Sequence, residues 1–187
     1  SLRCLVGSEM CIRDRIEGRN QPDLDRFNAG EIDFDQFAEA IEWTKQWRNY
    51  ENYRELIETA QKAGARVVGL NGPREVIRKV GQVGVEALED EMRQTLPEKI
   101  HTDDPTYERL MNKMLSIHSN FPEDFLRNVY EAQVSRDDSM ADHLVKAIQT
   151  VEGEKKPIAV VVAGGGHVQF GLGTPDRVEF RLPEVRA

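Results

Sequence analysis

The chain of 187 residues is long enough for one domain with a hydrophobic core, and 39% hydrophobic and 31% charged residues make an ordinary globular composition. A net charge of −8 excludes a general nucleic-acid binder, which needs a basic face for phosphates. The longest purely apolar run, Ile158-Ala-Val-Val-Val-Ala163, is far too short to cross a bilayer, so no transmembrane segment is expected.

In chain order, residues 1–15 show neither a helical nor a strand period. The string resembles translated adapter read-through rather than native protein. It is expected to be non-native or disordered and to join no packed element. Cys4 and Cys11, both inside it, have no further Cys to support a metal site. Residues 16–187 then form a single α/β domain, expected to be incomplete at its N-terminus, with its first strand or strands missing.

Asp33-Phe-Asp-Gln36 reads as a capping box, with Ile32 placed to staple onto Phe37. Phe34, Phe37, Ala38 and Ile41 follow at helical spacing, and Trp43 and Trp47, four apart, read as core packing. Tyr53, Leu56, Ile57 and Ala60 continue a helical stripe that Gly64 suits as a stop. Residues 65–70 form a short β-branched run ending at Asn71-Gly72-Pro73, a strand-to-helix junction. Residues 73–151 read as helical, with breaks at Pro97 and at Asp103-Asp104-Pro105 and a long helix starting at Asn120-Phe121-Pro122. A polar turn at residues 153–156 leads into a buried strand at 158–163. Two such strands joined through helices imply a partial parallel sheet with extensive helical cover.

The strongest local signal is the turn Gly164-Gly165-Gly166-His167, which follows that last strand at once. Glycine permits positive φ and close approach of a ligand, and ligands of open α/β sheets bind outside the carboxyl ends of strands. His167 stands there with an imidazole able to ligate a metal or haem iron, or to move a proton. The plainer reading is a tight loop with a hydrogen-bonded histidine. Gln133, Asp137 and Met140 fall at i, i+4 and i+7 beside an apolar stripe through Phe125, Val129 and Leu144. Here a structural Gln–Asp pair is favoured over catalysis, and Met140 reads as core. Asn71 and Arg74, at the other strand's carboxyl end, could hold a ligand carboxylate, although such an Asn more often satisfies its own turn. His101, His118 and His143 lack metal-ligand spacing and read as surface or core histidines.

These stretches, taken in order with Gln21-Pro-Asp-Leu-Asp-Arg-Phe27, Arg136, Ala141 and Gly173-Thr-Pro175, resemble the ChaN-like family of the wider Tiki/TraB-type group, the iron-regulated haem-binding lipoproteins. The resemblance implies an α/β fold with a Gly-x-x-His turn after a strand, here Gly164 to His167. It also implies a Gly-Glu-x-His turn near the domain start, which this sequence lacks. Some members bind haem through Tyr and His at a dimer interface. The resemblance thus implies haem or an iron-related small molecule as ligand, a homodimer, and a periplasmic or outer-membrane-anchored place in the bacterial envelope. Tyr50, Tyr53, Tyr107 and Tyr130 all stay open as that Tyr. The leading reading is a non-enzymatic haem- or iron-linked binding protein of iron uptake, with His167 as ligand and Gln133, Asp137 and Asn71 in support. The rivals are a divalent-metal-dependent hydrolase using His167, and an interaction domain with a degenerate site.

Overall fold

The computed structural model describes residues 8–12, 16–46, 49–116, 122–151 and 158–186. Cys4, Trp47, His118, the Asn120-Phe121 helix start and the turn at 153–156 lie outside these residues. The chain divides into two compact units, residues 1–71 with 143–164 and residues 72–142 with 165–187. Where the sequence suggested one domain, the division falls within the long helix, between Asp142 and His143.

In the first unit, three short strands make a parallel sheet in the order β2-β1-β3: β1 (Ser8–Ile12), β2 (Arg66–Val68) and β3 (Ile158–Val162). The runs foreseen at 65–70 and 158–163 therefore point the same way in one sheet, separated by β1. That middle strand corrects the reading of residues 1–15. Ser8–Ile12 pairs on both sides, Met10 with Val67 and Val160, so this part of the segment joins a packed element. A second correction concerns β3. Ile158 and Val160 of this edge strand are exposed, so among the described residues that face of its β-branched run is not buried. Helices otherwise dominate the described residues, and the sheet is small.

The helices of this unit follow from their local chemistry. In α2 (Phe34–Ala40) the Asp33 carboxylate accepts the Gln36 N–H at 2.9 Å, and the Gln36 side chain accepts the Asp33 N–H at 3.0 Å. Its apolar stripe, Phe34, Phe37 and Ala38, is buried with Leu24 and Phe27 of α1 (Gln21–Asn28), Trp43 of α3 (Trp43–Gln46), and Ile57 and Ala60 of α4 (Arg54–Lys62). Trp43 is core, as its spacing suggested, ringed by Phe34, Phe37, Tyr50 and Tyr53 at centroid distances near 6 Å. Gly64, at φ +74, ends α4 in the left-handed region that glycine enters without strain.

The second unit is helical: α5 (Arg74–Val83), α6 (Asp90–Arg93), α7 (Pro105–Ser116), residues 123–142 of α8 (Glu123–Gln149), and α9 (Thr174–Arg181). Val76, Ile77 and Val80 of α5 pack with Leu88 and Leu96, while Tyr107 and Met111 of α7 pack with Tyr130 and Val134 of α8. Met140 and Leu144 are buried as the apolar stripe required, but Phe125 at the start of α8 is exposed. No helix among the described residues is long and apolar enough to cross a membrane.

Candidate functional site

Asp137 is the hub of the second unit's polar interior. It projects from α8 with no exposed surface, and a buried carboxylate needs donors. Three converge on it. The Tyr107 hydroxyl of α7 donates to Oδ2 at 2.7 Å, Thr174 at the start of α9 donates to Oδ1 at 3.0 Å, and His167 Nδ1 lies 2.7 Å from Oδ1. A carboxylate accepts and does not donate, so Nδ1 carries the ring hydrogen and Nε2 is the basic nitrogen of His167. Gln133, one turn earlier on α8, places its amide nitrogen 2.9 Å from the same Nδ1, 3.2 Å from the Tyr107 hydroxyl and 3.3 Å from the Gly166 carbonyl. The two amide hydrogens suit the hydroxyl and carbonyl acceptors, which leaves the His167 hydrogen to Asp137.

The pairing differs from the Gln–Asp pair the sequence suggested. Gln133 and Asp137 do not form a pair with each other; both reach His167. Tyr107, which also lies 2.9 Å from the Gly166 carbonyl, was one of four tyrosines left open as a haem ligand and was not linked to Asp137, and Thr174 was not singled out for the site. Thr174 was visible within Gly173-Thr-Pro175, but Tyr107 sits thirty residues from Asp137 and gives no local signal. Burial first, and the Asp137 carboxylate second, hold the Tyr107 hydroxyl protonated far above the ordinary phenol range.

The glycines act differently from expectation. Gly165 and Gly166 form a 3-10 turn with His167 and do not use positive φ; the left-handed positions are Gly171 and Gly173. Gly173 is sterically obligatory, since a Cβ there would stand 2.6 Å from the His167 carbonyl oxygen. Between them, Phe170 adopts φ +61, a strained conformation for a side-chain-bearing residue, while 76% exposed. Val168 beside it is exposed as well, so a buried imidazole at 4% exposure is followed at once by an apolar surface.

Gly164 and Asn71 belong to the first unit. Asn71 is buried and bridges Glu17 through its backbone: its N–H donates to the Ile16 carbonyl at 3.0 Å, and its carbonyl accepts from Gly18 at 2.8 Å. These are backbone bonds, which any residue but proline could make at this position. Ile16-Glu17-Gly18-Arg19, the turn after β1, holds a buried Glu17 at 2.6 Å from Arg19 where a Gly-Glu-x-His turn was sought. Arg74 is exposed on the first turn of α5. His143 Nδ1 donates to the Leu70 carbonyl at 2.7 Å, and His101 is no surface histidine but is bound to buried Asp138. Of the tyrosines, Tyr130 is buried with its hydroxyl on the Asp104 carbonyl, and Tyr50 and Tyr53 pack in the Trp43 cluster. Among the described residues no group of three or more His, Cys, Asp or Glu side chains is disposed to hold a metal ion.

The chain is helix-rich with a small parallel sheet, and its glycine turn carries a buried histidine held by a carboxylate. Residues 3–178 match the family described as "Haem-binding uptake, Tiki superfamily, ChaN", and the chain belongs to that family. Among solved structures it is similar to the one titled "Cofacial heme binding to ChaN of Campylobacter jejuni", at 20% identity and a TM-score of 0.65. That likeness covers 93% of this chain and 64% of the Campylobacter chain, so this chain spans less than two thirds of it. Among curated proteins, none matches.

Proposed function

We propose that this protein binds haem at the His167 turn and serves haem-iron uptake in a bacterial envelope, as a binding protein rather than an enzyme. Family membership supports the ligand class, and one observation carries the site: a buried Asp137–His167 pair followed immediately by the strained, exposed Phe170. Haem asks of a protein an axial donor atom and an apolar face for the porphyrin. The residues present fit both demands. Asp137 commits Nδ1 of His167 and makes Nε2 the donor nitrogen, as carboxylates do for metal-bound histidines. Val168 and Phe170 supply apolar surface beside it. Bound haem supplies an iron that accepts an imidazole ligand. The chain's own work is to fix the tautomer through Asp137 and to hold the turn through Tyr107, Gln133 and Thr174.

Periplasmic or outer-membrane placement is part of this reading, supported by the uptake description of the family; a homodimer is part of it by family resemblance alone. Absorbance titration with ferric haem tests the site. His167→Ala is expected to weaken binding by at least tenfold and shift the Soret band, and Phe170→Ala to weaken it several-fold. Equal affinity and spectrum in wild type and His167→Ala would make His167 a purely structural histidine.

A further inference from the structure

Arg136 stands on α8 beside Gln133 and Asp137, the two residues that reach His167. Its side chain is partly buried, and its Nε has no hydrogen-bond partner. Among the described residues it forms no ion pair. Helix neighbours cannot neutralise it, because the positions three and four residues away are Ala132, Gln133, Ser139 and Met140, none of them acidic. The two carboxylates that follow it in sequence are committed elsewhere. Asp137 accepts from Tyr107 and Thr174 and holds His167, while Asp138 holds His101, Arg177 and Arg181. A guanidinium cannot lose its charge and carries five donors, so a partly buried one without an acid calls for an acceptor from outside the chain.

We propose that Arg136 is the carboxylate anchor of the His167 site, the residue whose guanidinium pairs with a propionate of the bound porphyrin. This rests on the reading that haem binds at the His167 turn; the assignment of Arg136 rests on its own lack of an acid. Gln133 places its amide nitrogen 2.9 Å from His167 Nδ1, and Arg136 leaves α8 three residues later, about 4.5 Å along the helix axis. Helix side chains tilt toward the N-terminus, so Arg136 tilts back toward the level of Gln133. Its cation therefore stands beside the imidazole. Propionates leave a porphyrin at its edge, so a cation that holds them belongs to the side of the axial nitrogen. Arg136 keeps part of its surface open, which lets a ligand reach it. Val168 and Phe170 add apolar surface and no charge. With a net charge of −8 the chain as a whole repels a dicarboxylate, so holding one falls to a local cation. A guanidinium suits a carboxylate, because its planar fork meets both oxygens.

The test varies the ligand and the residue together. The full chain, as wild type, Arg136→Met and Arg136→Lys, is titrated by absorbance with ferric haem and with its dimethyl ester, whose propionates carry no charge, in the same dilute detergent. Wild type is expected to bind haem about tenfold more tightly than the ester. Arg136→Met should bind the two alike and keep the wild-type Soret position, because His167 is untouched. Arg136→Lys keeps the charge without the fork and should fall between. In the absence of haem, Arg136→Met is expected to hold or raise the urea midpoint, since it deletes a partly buried charge that has no partner and keeps the apolar stem. A clearly lower midpoint would give the guanidinium a task in the fold and overturn the proposal. Equal affinity of wild type for haem and ester, or a tenfold preference that persists in Arg136→Met, also overturns it and leaves the His167 site standing. No binding of either ligand by wild type overturns both.

Discussion

Asn28 holds the backbone of Val67 at both ends: its side-chain NH2 donates to the Val67 carbonyl and its side-chain oxygen accepts the Val67 N–H, each at 2.9 Å. Val67 lies in the edge strand β2, whose outward groups would otherwise stand unpaired, and one amide side chain from α1 takes the place of a further strand. Asn28→Ala removes both bonds and is expected to cost about 2 kcal/mol, read as a lower urea midpoint. Asn28→Asp keeps only the acceptor and should fall between the two. An unchanged midpoint for Asn28→Ala would mean that water replaces the clamp without loss.

The turn after β1 offers a steric test. A Cβ on Gly18 would stand 2.5 Å from His143 Cε1, and that ring is fixed by its bond to the Leu70 carbonyl. Gly18→Ala should destabilise the protein by about 1–3 kcal/mol through overpacking. Adding His143→Ala should recover part of that loss, giving a coupling energy of about 1 kcal/mol in a double-mutant cycle. Additive effects would place the cost in the backbone instead of the contact.

At the hub, Asp137→Ala strands the Thr174 hydroxyl and His167 Nδ1–H in the interior, while the Tyr107 hydroxyl keeps the Gly166 carbonyl as acceptor. The expected loss is about 3 kcal/mol or more in equilibrium denaturation. Asp137→Asn keeps the shape, so it should fold with a smaller loss and yet bind haem at least tenfold more weakly, because His167 is no longer held by a carboxylate. Haem affinity equal to wild type in a folded Asp137→Asn would detach the carboxylate from ligand binding.

Alkaline titration reads the two buried phenols. Burial raises the hydroxyl pKa of both Tyr107 and Tyr130 above the ordinary range, with the Asp137 carboxylate adding to it at Tyr107 and Asp104 at Tyr130. A group whose folded pKa is raised gives stability that is full below its unfolded pKa. That stability falls as pH climbs above about 10, where only the unfolded chain releases the proton. Absorbance at alkaline pH should therefore show these two tyrosines ionising together with unfolding, and the urea midpoint should decline from about pH 10 upward. Ionisation of all four tyrosines in the folded protein near pH 10 would contradict the burial of both.

Much of this protein was written locally. The capping box at Asp33, the stop at Gly64, the helix breaks and the two glycine-ended strands follow from residue chemistry over three to eight positions, and sequence alone fixes such features. The Gly164–His167 turn and the polar positions Gln133 and Asp137 on α8 were visible for the same reason: a glycine run after a strand and polar groups beside an apolar stripe are local anomalies. Periodicity did not show that Ser8–Ile12 is the middle strand, because Ser8-Glu-Met-Cys-Ile12 is short and carries no clear strand period, and its pairing is with strands far along the chain. Nor did it show which histidine each neighbouring aspartate holds. Asp137 reaches across thirty residues to His167, and Asp138 across thirty-seven to His101. Consecutive helix positions project about 100° apart, so adjacent identical residues face different neighbours. Only the packing of α7, α8 and α9 determined that Asp137 would meet Tyr107 and Thr174 while Asp138 met Arg177 and Arg181. A buried carboxylate takes its meaning from the donors that tertiary folding carries to it.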